Sequence, residues 1–232
     1  MSKLVKAFIG LAALMALTAL LPTSSFAKEV TLQEPIGTKV PVGTKLTATN
    51  TDVVAKITDA NGNTLAECTS VSMTGTLVKN EPAAVEATIE KAEIKGTVGI
   101  TPHTTHCASS LGGTLTPTTN PATNGLNWCL RSTAAMAADE AQIRGGGCTE
   151  ASRPIRLVLD FSVFGECTYQ RTAAVPVTFT TSPTAANITV SKSEFTKFAG
   201  SVLCPAVEFF DLTVSFYTDN AEEKPVFFVA GP

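Results

Sequence analysis

The chain has no Cys-x-x-Cys pair, no Gly-x-Ser-x-Gly, no recognisable cofactor motif and no excess of basic residues, and it carries no lysine between Lys95 and Lys192. Each absence removes a class of function. Without Cys-x-x-Cys, the usual zinc knuckle and dithiol redox centre are not expected. Without Gly-x-Ser-x-Gly there is no sign of a hydrolase nucleophile elbow, and His103 and His106 are the two histidines that base-assisted hydrolysis would have to use. A formal net charge of −3 supplies no basic stripe to neutralise phosphates, so nucleic acid is not an expected partner. No apolar run reaches the roughly 20 residues that a spanning helix needs. No cofactor is expected.

What the chain does contain begins with an export signal. Lys3 and Lys6 precede an apolar run from Phe8 to Leu21, and Ser25-Phe26-Ala27 offers small residues to a signal peptidase. Residues 1–27 therefore read as a cleaved signal peptide and 28–232 as a single disulfide-stapled domain, secreted or at the cell surface and without a membrane span. Losing the two lysines moves the formal charge to −5, with 15 basic against 20 acidic residues. All six cysteines, Cys68, Cys107, Cys129, Cys148, Cys167 and Cys204, lie downstream of the leader. An even count in an oxidising compartment implies three disulfides. Sequential pairing, 68 with 107, 129 with 148 and 167 with 204, is the expectation among the arrangements that spacing leaves open. Loops of this size are each worth roughly 3 to 4 kcal/mol in the chain-entropy account.

Threonine is the commonest residue, with 35 copies, and recurs beside valine and isoleucine in alternating runs such as 45–49, 71–77 and 175–180. Period two with β-branched side chains is the pattern of half-buried strands. Further strands are expected over 53–58, 64–68, 84–90, 94–101, 155–163, 187–192, 211–218 and 225–230. Many short strands between turn residues imply an all-β fold, an antiparallel β-sandwich or jelly-roll-like domain. One short helix is expected within 132–142, where Ala134, Ala135, Met136, Ala137 and Ala138 favour it. Residues 59–64 contain Asn61-Gly62 and read as a hairpin. A calcium loop would need glycine at Thr64 and glutamate at Ser70. The breaker-rich segment 116–127 reads as a long loop, with an interdomain linker as the alternative. Asn187-Ile188-Thr189 is a glycosylation sequon.

All five arginines, 131, 144, 153, 156 and 171, fall in the lysine-free middle, together with the single tryptophan. A binding patch would stack Trp128 on a sugar or aromatic ligand and hold an anionic group with Arg131, Arg144, Arg153 and Arg156. The bland alternative is a core tryptophan packed beside Cys129, with arginines in structural ion pairs. His103, His106 and Cys107 form a weak metal-ligand set, incomplete if the cysteine is oxidised. Asp160 and Glu166 are nameable as paired carboxylates for glycoside hydrolysis but have no supporting motif.

The strings Leu126-Asn127-Trp128-Cys129-Leu130, Arg144-Gly145-Gly146-Gly147-Cys148, Arg153-Pro154-Ile155-Arg156 and Gly165-Glu166-Cys167-Thr168-Tyr169 resemble exported β-rich bacterial proteins of unknown function. That resemblance implies export and a β fold and carries no catalytic or binding role. Three functions follow as expectations: a binding or structural surface protein that meets a glycan or another extracellular protein, a secreted hydrolase or metal-binding protein built on His103 and His106, or a self-assembling subunit. In the last, the apolar run Pro225–Ala230 would complete a neighbour's sheet.

Overall fold

The computed structural model describes residues 30–35, 37–50, 54–82, 84–98, 101–103, 107–110, 114–117, 127–133, 135–136, 139–149, 153–163, 165–181, 186–218 and 225–230. The expected leader, His106 and residues 118–126 of the breaker-rich segment lie outside them. Seventeen strands follow in chain order: β1 (Val30–Gln33), β2 (Lys45–Thr49), β3 (Ala55–Thr58), β4 (Thr64–Cys68), β5 (Ser70–Glu81), β6 (Ala84–Val98), β7 (Thr101–His103), β8 (Cys107–Ser109) and β9 (Thr114–Pro117) form the first part. β10 (Trp128–Thr133), β11 (Glu140–Gly145), β12 (Ile155–Phe161), β13 (Gly165–Arg171), β14 (Val175–Thr181), β15 (Ala186–Gly200), β16 (Val207–Thr218) and β17 (Phe227–Ala230) complete it.

The antiparallel all-β expectation holds, but the ladders close where a sandwich would leave two open sheets. One circuit runs β2-β5-β6-β10-β11-β14-β15-β16 and returns from β16 to β2, eight strands with the β6–β10 ladder as the closing seam. A second circuit runs β3-β4-β8-β9-β12-β13-β15-β16 and returns from β16 to β3. Closure removes the exposed edges that an open sheet of this size would present. The two circuits share the long β15–β16 hairpin, which works because each of its strands changes partner halfway. In β15, residues 186–189 pair with β14 and residues 196–200 with β13; in β16, residues 209–211 pair with β3 and residues 215–218 with β2.

The changeover coincides with a bulge. Register slips between Val190 and Ser193, Lys192 takes φ +43°, and its N–H donates to Asp211 Oδ1 at 2.8 Å. Extra residues on one strand bend it and raise the local twist, which redirects the hairpin from one barrel into the other. Inward alternation then follows from the pleat. Ile188, Val190, Leu212 and Val214 fill the first barrel and Phe195, Leu157, Leu159 and Phe161 the second, all buried.

No helix occurs among the described residues. The described residues of 132–142 are instead strand, turn and strand, Ala134, Ala137 and Ala138 lying outside them: Met136 N–H donates to Thr133 O at 2.9 Å, and Arg131 pairs with Gln142 across β10 and β11. A helix of one or two turns gains too little from propensity to compete with two ladders. The 59–64 hairpin forms as expected, with Gly62 at φ +82°. Asp59 Oδ1 accepts the N–H groups of Asn61 and Asn63, both at 2.8 Å, and Asn63 Nδ2 donates to Oδ2 at 2.9 Å. Those bonds, led by Asn63, hold the Asp59 carboxyl below its ordinary pKa, so this carboxylate is engaged by its own turn.

The terminal run Phe227–Ala230 pairs with β1 of the same chain, Val30 opposite Ala230. Buried Asn80 anchors this pair, accepting from Leu32 N at 2.9 Å and donating to Leu32 O and Val40 O at 2.8 Å. The three disulfides follow the sequential pairing, with Cα separations of 4.7, 4.9 and 5.8 Å, and five of the six cysteines are buried. Such bonds indicate an oxidising environment.

Candidate functional site

β10 and β11 carry most of the expected patch, and the pleat divides it. Trp128, Leu130 and Ser132 alternate inward, whereas Arg131 turns outward; on β11, Ile143 turns inward and Arg144 outward. Each arginine also has its own local partner. Arg131 Nε lies 2.9 Å from Glu86 Oε1, its directly opposed neighbour on β6, in an ion pair whose N–H is not aimed along the contact. Arg144 donates to Cys148 O at 2.8 Å, Arg171 to Glu194 O at 2.9 Å, and Arg156 lies over the Phe198 ring at 4.3 Å. Arg153 is exposed and bridges to Gly145 through its backbone. Trp128 and the arginines therefore do not share one surface.

Trp128 instead lines an apolar cavity of about 50 Å³ with Met73, Ile143, Leu157, Val190 and Phe195, where the interiors of the two barrels meet. Its indole is partly buried and packs against the core. Trp128→Ala should lower unfolding stability by about 3 kcal/mol, the usual scale for truncating a packed aromatic, read from urea midpoints by circular dichroism. Unchanged stability would return Trp128 to a ligand-stacking role.

A polar cluster that composition did not reveal sits in the second barrel. Glu208 and Tyr169 are 3% and 0% exposed, and Glu208 faces Phe195 across the β15–β16 ladder. Glu208 Oε1, Tyr169 Oη and Ser193 Oγ are all buried without a well-formed hydrogen bond. Burial pushes the Glu208 carboxyl up to about 7, an effect that the neighbouring Tyr169 hydroxyl only partly offsets. Burial, and then the charge on Glu208, raise the Tyr169 phenol far above its usual range. Lys197 does not neutralise the pair, since its ammonium donates to Ser201 O at 3.2 Å and Cys204 O at 3.4 Å. The sequence signal was a lone acid inside Val207-Glu208-Phe209-Phe210.

The outer surface over β11, β14 and β15 holds an open groove of about 340 Å³. Gln142, Thr178, Thr189 and Ser191 line it, with Met136 and Pro176 supplying apolar area. Pro176 stands opposite Gln142, and because Phe179 N–H donates to Asp139 O the alternate residues of β14 face β11, so the nitrogen of Pro176 points away from β11 and its missing N–H costs that ladder no bond. Thr189 and Thr213 hydroxyls are 3.1 Å apart, so one donates to the other and leaves further acceptor capacity. The arrangement offers amide and hydroxyl groups of both donor and acceptor type, with the Glu140 carboxylate in the same lining, beside an apolar strip, equipment that suits a polyhydroxyl ligand.

His103 lies in β7, paired through its backbone with Gly96. Among the described residues no cluster of three or more His, Cys, Asp or Glu side chains is arranged to hold a metal, and Cys107 is oxidised to Cys68. Asn187 of the sequon sits in β15, laddered on both sides, with its amide oxygen accepting from Ser215 Oγ at 2.6 Å. No family model, curated protein or solved structure matches the chain.

Proposed function

We propose that this is an exported, disulfide-stapled β-barrel protein that binds an extracellular glycan in the groove over β11, β14 and β15. The carrying observation is the convergence of Gln142, Thr178, Thr189 and Ser191 on one outward depression of about 340 Å³. Rigid strands on a cross-linked scaffold present these groups with little ordering cost on binding. Binding is favoured over catalysis because the titratable group with the most useful perturbation, Glu208, is sealed inside the second barrel and away from the groove.

The test is a glycan array probed with the labelled 28–232 chain. Wild type should mark a defined set of saccharides, and Gln142→Ala combined with Ser191→Ala should weaken that signal about tenfold, the loss expected from removing two polar contacts. Its melting temperature should stay unchanged. A wild-type chain that marks no saccharide overturns the proposal.

A further inference from the structure

A second surface is built for contact, independently of the groove. The outer face of β12 and β13 carries Arg156, Val158 and Asp160 in alternation, with Thr168 opposite Val158 and Glu166 opposite Asp160. Asp160 and Glu166 are both exposed and form no ion pair among the described residues. Like charges directly opposed in a ladder destabilise it unless a cation intervenes. Beside them the β13–β15 ladder slips, Thr168 pairing with Ala199 and Tyr169 with Lys197, so that Phe198 is the extra residue of a bulge. The bulge turns Phe198 outward to 51% exposure, under the Arg156 guanidinium.

The same face ends in an apolar apex. Val202 is 92% exposed, Leu203 67%, and Val163 of the adjoining β12–β13 turn 60%. This apex is held rigidly by the Cys167–Cys204 disulfide, by Cys204 N donating to Ser201 O at 3.0 Å, and by the Lys197 ammonium on two of its carbonyls. Exposed aliphatic side chains on a fixed loop lower the ordering cost of an interface.

The charge order identifies the occupant. Arg156 stands two residues to one side of Val158 and the Asp160/Glu166 pair two residues to the other, so a two-fold axis near Val158 and Thr168 brings each Arg156 onto the opposite copy's carboxylates. A surface that is its own electrostatic complement, with apolar groups between the charges, fits an isologous contact. We infer that the β12–β13 face, centred on Val158 and Thr168 and extended by Phe198 of the adjoining β15, is a dimerisation surface for a second copy of this chain.

Sedimentation equilibrium of the 28–232 chain at neutral pH, with disulfides intact, tests this. A concentration-dependent dimer is expected, weakening as salt rises. Phe198→Asp should raise the dissociation constant at least about tenfold, with an unchanged melting temperature. Arg156→Glu alone and Asp160→Arg with Glu166→Arg should each give monomers, because each places like charges in contact. Mixing those two variants should restore dimers, because both contacts then pair opposite charges. A monomer at millimolar concentration overturns the inference, as does a dimer indifferent to all three variants. Sedimentation of a monomeric chain with phosphatidylcholine vesicles would also overturn it, assigning the apex to lipid.

Discussion

Gly75→Ala is expected to be the most damaging glycine-to-alanine substitution among the described residues. Gly75 lies in β5, laddered to Leu46 on one side and Ile89 on the other, at a register slip between Thr74 and Gly75. A Cβ there would stand 1.8 Å from Thr88 O and 2.9 Å from Thr88 C. Both are backbone atoms of a strand held on its far side by the closing β6–β10 seam, so neither can rotate away. The cost should exceed the roughly 1 to 3 kcal/mol of ordinary overpacking, and folded protein should fail to accumulate. Gly62→Ala is the control. It has φ +82° and nothing within 4 Å of the added carbon, so only backbone strain of about 1 kcal/mol applies. Urea midpoints of the two variants separate the causes: equal, small losses would show that β5 and β6 can shift apart and that the first barrel is not tightly closed.

The second large effect is a dependence of stability on pH carried by Glu208. Its carboxyl is raised from an ordinary 4.5 to about 7 in the folded chain. The folded state therefore holds the proton more tightly than the unfolded state. This contribution is fully present below about 4.5, is lost as pH rises through about 7, and is constant above that. The total swing is about 3 kcal/mol. Wild type should thus unfold at lower urea concentration at pH 8 than at pH 5. Glu208→Gln, which keeps the shape and removes the charge, should flatten that difference and be the more stable protein at pH 8. Parallel pH profiles for the two chains would show that Glu208 is solvated and that the second barrel is open near Tyr169.

The amount of structure legible in the sequence differed by element, for physical reasons. Strands such as Ile155–Phe161 and Val175–Thr181 are readable because each is half-buried and alternates every second residue. The end of β10 and the start of β11, within 132–142, read as one short helix because alanines carry strong helical propensity and no information about the ladder waiting for them. The continuous 15-residue β6 reads as two strands, and the far half of β15 beyond Lys192, with its exposed Glu194 and Thr196, escapes the pattern because bulges break the period. The candidate patch failed for a related reason. Trp128 and Arg131 are close in sequence, but three steps along a strand put them on opposite faces. Glu208 was legible only as an anomaly, since whether an acid among phenylalanines turns inward is settled by register.

The strand-rich antiparallel class and the Asp59 hairpin are legible in the sequence, because each depends on local alternation or turn chemistry, whereas the disulfide pairing, which spacing leaves open, is settled by which cysteines the ladders bring together. Barrel closure, the sharing of β15 and β16 between two barrels, the burial of Glu208 with Tyr169, and the outward turn of Phe198 were decided only by the tertiary structure. Sandwich and barrel share one period-two pattern, so closure rests on pairings such as β6 with β10, far apart in the chain, and on bulges that shift register. A one-residue slip moves every side chain to the other face. Local patterns specify strands, and only the joined ladders specify what those strands enclose.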